Sequence, residues 1–73
     1  MPQDVPIRGE TIRLGQLLKL AGMVGGGGEV RLFLAEATVL VNGEPEARRG
    51  RQLHPGDTVR VNDLDLRIAR GPD

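Results

Sequence analysis

The spacing of apolar positions predicts two short helices in the first half of the chain. Apolar residues lie three or four positions apart in a first stripe, at Leu14, Leu17, Leu18 and Ala21. Gly22 follows and is suited to end this helix. The same spacing returns after a glycine run, at Val30, Phe33, Leu34 and Ala37. We therefore expect a helical hairpin, in which Glu29 complements the dipole of the second helix.

The second half of the chain alternates apolar and polar positions, which is the period of a β-strand. Residues 58 to 61 and 64 to 68 show it, and in the apolar segment of residues 39 to 41 Val39 and Val41 alternate with Leu40. Turn signals separate them: Asn42-Gly43, the run of residues 54 to 57, and Asn62-Asp63. Residues 44 to 52 are polar and are expected to form an exposed loop. The order of elements predicts a small α+β domain.

The ends of the chain lack this patterning. Residues 1 to 10 carry two prolines, a glycine and no periodicity, so they predict a flexible N-terminal arm. We assign residues 11 to 70 to one domain and residues 71 to 73 to a flexible C-terminus, because 73 residues fit a single small core. No apolar run approaches the ~20 residues that span a bilayer, and the N-terminus does not resemble a signal peptide. A cytoplasmic protein is expected.

Charge changes this picture only through its distribution. Ten Lys and Arg residues balance ten Asp and Glu residues, so the net charge of zero does not indicate a nucleic-acid partner. Arg48, Arg49 and Arg51 nevertheless place three cations within four residues. A phosphate-binding patch is one interpretation. A solvated loop that Glu44 and Glu46 partly neutralise is the other.

Residues for catalysis or metal binding are scarce. Cysteine and serine are absent, and His54 is the single histidine, so neither a metal site nor a catalytic triad is expected. Asp57 is expected to organise the turn that contains it. The glycine run is not followed by the Lys-Thr or Lys-Ser of a nucleotide phosphate loop. The sequence therefore predicts a protein that is not an enzyme and needs no cofactor or metal.

Several segments, in this order, resemble the RNA-binding domain named after the fourth protein of the small ribosomal subunit, the alpha-L motif. The resemblance covers roughly residues 12 to 68. It rests on RL at 13 to 14 with LL at 17 to 18 and Gly22, on the glycine turn, on AEATVLVNGE at 35 to 44 and on PGDTV at 55 to 59. The segment EPEARRGR at 44 to 51 is similar to the small stand-alone bacterial members.

The resemblance implies a two-helix hairpin packed on a small, mainly antiparallel sheet, and a function in docking on structured RNA, with ribosomal RNA as the expected example. It implies contacts from Arg13, Arg31 and the Asn42-Gly43 turn. Many family members carry a Ser-Arg pair where this chain has its glycine run, and the backbone amides of that run are the hypothetical substitute. The expected RNA-binding set is Arg13, Lys19, Gly26, Gly27, Gly28, Arg31, Asn42, Gly43, Arg48, Arg49 and Arg51.

The aromatic content bears on the kind of RNA. Phe33 is the single aromatic residue and lies on the apolar stripe of the second helix, so it is expected in the core. Modules that read single strands stack bases on exposed aromatic side chains. We therefore expect recognition of folded RNA through phosphates and 2′-hydroxyls, with low sequence specificity.

Two other functions remain open at this stage. In a protein-interaction module, the same arginine face would dock an acidic or ribosome-associated protein partner. Residues 39 to 44 and 55 to 61 also resemble segments of beta-grasp sulfur carriers, but those carriers end in Gly-Gly, whereas this chain ends in Arg70-Gly71-Pro72-Asp73. Neither helix is strongly basic along one face, so no membrane partner is expected.

Overall fold

The computed structural model describes residues 2 to 71, which fold into two helices and seven strands. The helices are α1 (Leu14–Leu20) and α2 (Gly27–Glu36). The strands, in chain order, are β1 (Gln3–Ile7), β2 (Ile12–Arg13), β3 (Val39–Val41), β4 (Glu44–Pro45), β5 (Gln52–Leu53), β6 (Thr58–Val61) and β7 (Leu64–Arg70). The predicted α+β class and the two predicted helices are confirmed.

Five of the strands form one sheet in the order β1-β7-β6-β3-β4. Within the described residues β1 and β7 run parallel, and the other neighbouring pairs of this sheet run antiparallel. The remaining strands, β2 and β5, form a separate antiparallel pair that joins Ile12 to Leu53. The sheet is therefore mainly antiparallel, as the resemblance implied.

Helices and sheet share one hydrophobic core. Alternation in β6 buries Val59 and Val61 and leaves Thr58 and Arg60 exposed, as a strand with one solvated face requires. Leucines of α1 meet the sheet residues in this core, whose fully buried large side chains are Leu14, Leu17, Leu18, Leu53, Leu66, Ile68, Val41 and Val59. Phe33 was predicted in the core, but it is only partly buried and packs against the edge of the core.

The expectation of a loosely packed arm over residues 1 to 10 is wrong for Gln3–Ile7, which forms β1. Val5 and Ile7 are buried in the core, and the strand pairs with β7 in register from Gln3 to Ile7. Pro6 interrupts the ladder of donors and hid the strand in the sequence, but an edge strand tolerates proline because one side of it has no neighbour. The first strand therefore belongs to the domain.

The chain continues from β7 along the end of β1. The amide of Gly71 donates to the carbonyl oxygen of Ile7 at 2.9 Å. A Cβ on Gly71 would lie 2.7 Å from that oxygen, so glycine permits the close approach. The expected flexible C-terminus also includes Pro72 and Asp73, which lie outside the described residues.

The predicted turns have the backbone conformations that their residues favour. Asn42 has φ 51° and Gly43 has φ 85°, the pair of positive values that a tight hairpin turn needs. Gly22 has φ 76° just after α1, as predicted for a helix stop. The predicted exposed loop over residues 44 to 52 is shorter than expected, because β4 and β5 occupy its two ends.

Candidate nucleic-acid interface

A single carboxylate organises the loop that carries three arginines, residues 46 to 51, here named the arginine loop. Glu46 Oε2 accepts hydrogen bonds from the backbone amides of Ala47 and Arg48, each at 3.1 Å, and from Arg48 Nε at 3.1 Å. Its Oε1 accepts from Arg48 Nη2 at 3.1 Å and from Arg51 Nη1 at 3.0 Å. The loop is thus folded around Glu46.

The ion pairs of Glu46 set its electrostatics. Hydrogen bonds from the Arg48 side chain and backbone, together with Arg51, lower the pKa of Glu46 to about 2, and its side chain is 8% exposed. The same carboxylate raises the pKa of Arg48. Arg48 keeps a side-chain exposure of 77% and Arg51 one of 35%. The negative charge of Glu46 therefore partly neutralises both guanidinium groups.

Backbone carbonyls of the arginine loop satisfy the first amides of α1. Leu14 N–H donates to the carbonyl of Arg51, and Gly15 N–H donates to that of Arg49, each at 2.9 Å. A Cβ on Gly15 would lie 3.3 Å from a methyl of Val30 and 3.5 Å from the Arg49 Cβ. Gly15 therefore lets the loop lie against both helices. Sequence reasoning missed this residue, although a glycine inside a helical stripe signals a close approach.

Three of the predicted cations meet in one surface depression, which we name the cation pocket. Arg13, Lys19 and Arg49 line it, and the depression measures about 160 Å³. The other lining residues are Gly15, Gln16, Val30 and Gly50. Arg13 immediately precedes α1 and its amide donates to Gln16 Oε1 at 3.1 Å, which fixes the entry into the helix. Residues from both ends of α1 and from the arginine loop are thus brought together.

The remaining predicted cations lie outside this pocket. Arg48 and Arg51 line a neighbouring depression with Gly50 and Gln52. Arg31 is exposed on α2 and lines neither depression. The structure therefore brings Arg13, Lys19 and the arginine loop close together, whereas Arg31 stands apart.

The glycine run leads into α2 and meets an acidic side chain. Gly25 N–H donates to Glu29 Oε2 at 2.7 Å, and the carbonyl of Gly26 accepts from the amides of Glu29 and Val30. Gly26 precedes the helix, and Gly27 and Gly28 are its first residues. A carboxylate of the chain itself thus lies beside the proposed anion site, so a phosphate there would compete with Glu29. Anion binding by this run stays a prediction.

The Asn42-Gly43 turn is tied to the start of β6. The Asn42 Oδ1 accepts the Thr58 amide at 2.9 Å, and the Asn42 Nδ2 donates to Asp57 Oδ1 at 3.2 Å. Asp57 Oδ2 accepts the His54 amide at 2.7 Å, which confirms that Asp57 organises its turn. Burial raises the pKa of Asp57, but the bonds from the His54 amide and the Asn42 side chain bring it below the ordinary value. The Asn42 side chain therefore supports the fold, although both Asn42 and Gly43 are exposed.

Other surface features bear less on nucleic acid. Another depression lies where β1 and β7 end, and its lining combines Arg8 and Arg70 with Glu10. Among residues 2 to 71 there is no group of three or more histidine and acidic side chains placed to hold a metal ion. In the same part of the chain, neither helix has the length and apolar character needed to cross a membrane.

Two comparisons with known proteins bear on the family of this chain. A family model described as the S4 domain matches residues 5 to 69, beginning inside β1. The chain is also 49% identical, over 61 residues, to the probable ribosome maturation protein RlbA of Bacillus subtilis (strain 168), a similarity that covers 84% of this chain and 86% of that protein. Because both matches extend over most of the chain, as the resemblance to the alpha-L motif predicted, the protein belongs to the S4 family of RNA-binding domains.

Proposed function

We propose that this protein is a non-enzymatic RNA-binding protein that docks on structured ribosomal RNA through the cation pocket and the arginine loop. Membership in the S4 domain family supports an RNA-associated function, and a relative named as a ribosome maturation protein supports the ribosome as its place of action. The observation that carries the proposal is the meeting of Arg13, Lys19 and Arg49 in one depression. Action on ribosomal RNA places the protein in the cytoplasm.

The proposed contact is with phosphate rather than with bases. Among residues 2 to 71, no carboxylate lies within 4 Å of the cationic groups of Arg13, Lys19 or Arg49, so these charges are available to a polyanion. Phosphates that pair with them release counterions, and this release drives binding even when the net charge of the protein is zero. The single aromatic side chain, Phe33, is partly buried against the core, so it does not form the exposed platform on which bases stack. Recognition therefore depends on the shape of a folded RNA.

A salt titration with charge-matched variants tests the proposal. The pocket variant combines Arg13→Ala, Lys19→Ala and Arg49→Ala. The control combines Arg60→Ala, Arg67→Ala and Arg70→Ala, which removes three exposed cations from the sheet. Binding to a fluorescent, folded ribosomal RNA fragment is measured across a salt series by anisotropy.

We expect the logarithm of the wild-type binding constant to fall linearly with the logarithm of the salt concentration. The slope should be about 0.7–0.9 per phosphate contact. In the pocket variant, the slope should decrease by the equivalent of about two to three phosphate contacts. In the control, it should decrease by less than about one contact. Equal losses in both variants would mean that binding follows total charge rather than the pocket. Absence of wild-type binding to structured RNA would refute the function and leave a ribosome-associated protein as the partner to seek.

A further inference from the structure

We propose that Glu46 divides the three loop arginines by role: it retains Arg48 and Arg51 to shape the arginine loop and leaves Arg49 as the loop's phosphate contact. Glu46 is then a positioning residue that determines which arginine meets RNA. The inference rests on the proposed function, because it assigns roles within the same interface.

The first step is that the Glu46 carboxylate is already saturated. Two carboxylate oxygens offer about four lone-pair directions, and Glu46 accepts five N–H contacts at 3.0 to 3.1 Å. Its side chain is 8% exposed, because the two arginines cover it. If Arg48 and Arg51 turned toward RNA, this carboxylate would lose its three side-chain hydrogen bonds, which opposes their release.

The second step is that a phosphate approaching Arg48 or Arg51 also approaches Glu46. Arg48 presents Nε and Nη2 to the carboxylate, the two donors of one edge of its planar fork. A bidentate phosphate contact through that edge is therefore blocked. The like charges of phosphate and carboxylate also repel at this separation. Arg48 remains exposed, but its charge is largely compensated.

The third step is that Arg49 has the opposite situation. Its carbonyl is fixed by the Gly15 amide at 2.9 Å, so its backbone is held at the start of α1. In the part of the chain that the structure describes, no carboxylate pairs with its guanidinium. It shares the cation pocket with Arg13 and Lys19, whose charges are likewise unpaired there. A phosphate at Arg49 is thus close to three cations without a carboxylate partner. A phosphate at Arg48 is close to a cation that Glu46 partly neutralises.

The decisive comparison uses two adjacent single variants, Arg49→Ala and Arg48→Ala, which remove the same side chain from neighbouring exposed positions. Both are titrated with the folded ribosomal RNA fragment across a salt series, and thermal unfolding of each variant is recorded without RNA. Arg49→Ala should weaken binding severalfold and reduce the salt slope by about 0.7–0.9, one phosphate contact, with little change in melting temperature. Arg48→Ala should change the slope by less than about 0.3.

Glu46→Gln gives a test of opposite sign. Removing a negative charge should tighten binding to a polyanion if only total charge matters. If Glu46 positions the loop, the variant binds RNA more weakly. The reason is that the arginine loop, which carries Arg49, loses the carboxylate around which it is folded. Should Glu46→Gln not fold, the Arg49 and Arg48 pair still decides the question.

Two results would overturn the inference while leaving the proposed function intact. One is an equal loss of salt slope in Arg48→Ala and Arg49→Ala. The other is tighter RNA binding by a folded Glu46→Gln variant. Absence of binding by the wild-type chain is a different outcome, because it removes the proposed function itself.

Discussion

Replacing Ile7 by alanine tests whether β1 is part of the core. Ile7 is 4% exposed, and its strand pairs with β7. The substitution removes three buried carbon atoms, about 2.4 kcal/mol at ~0.8 kcal/mol each, and leaves a cavity that raises the loss to about 3 kcal/mol. A domain of this size is stable by roughly 4–11 kcal/mol, so the loss is a large fraction of the total. The melting temperature should fall by about 12–24 °C.

The measurement is thermal unfolding followed by circular dichroism, with Gln3→Ala as the matched control. Gln3 lies in the same strand but is exposed, so its truncation should change stability by less than about 0.5 kcal/mol. Below the transition, Ile7→Ala should still bind RNA, because no residue of β1 lines the cation pocket. If Ile7→Ala and Gln3→Ala melt together, the N-terminal segment is a loosely attached arm and the reasoning is wrong.

Substitutions at two positions, Asn42 and Glu46, test the loops. Asn42→Ala and Asn42→Gly both remove the bonds to Asp57 and Thr58, but only glycine accepts φ 51° freely, so alanine should cost about 1 kcal/mol more in urea unfolding. Equal losses would show that the turn conformation is unimportant. For Glu46, a pKa of about 2 instead of the ordinary 4.5 means that its stabilisation is complete above about 4.5 and is lost as the pH falls through 2. The melting difference between wild type and Glu46→Gln should therefore shrink from pH 7 to pH 2, and a constant difference would contradict the ion-pair assignment.

Local periodicity was sufficient for the elements that carry their own pattern. Both helices, β3, β6 and most of β7 were predictable because apolar residues repeat at the period of the element. The strand β1 was not, because Pro6 is atypical of a strand and the partner β7 lies more than 60 residues away, with Gln3 opposite Leu66. The two-residue ladder of β2 and β5 was equally hidden. It depends on backbone pairing between distant segments rather than on a side-chain repeat.

The candidate site was predictable as a set of cations but not as an arrangement. Sequence treated Arg48, Arg49 and Arg51 as equivalent members of a cluster, with Glu44 and Glu46 as diffuse neutralising charges. The structure distinguishes them, because Glu46 accepts hydrogen bonds from the side chains of Arg48 and Arg51 but not from that of Arg49. Such a distinction depends on loop geometry, which neither spacing nor composition contains.

The balance of charge explains how a chain of zero net charge can present a cationic surface. On the sheet, Arg67 pairs with Asp4 at 2.9 Å and Arg60 lies 3.5 Å from Asp65, so these arginines are locally neutralised. Such exposed pairs contribute little to stability. These pairs do neutralise the positive charge of two arginines on the sheet. In the cation pocket, by contrast, no carboxylate of the described residues lies within salt-bridge distance of the three cations. At physiological salt, charges more than about 8 Å away are largely screened, so a phosphate at the pocket responds to the local excess rather than to the net charge.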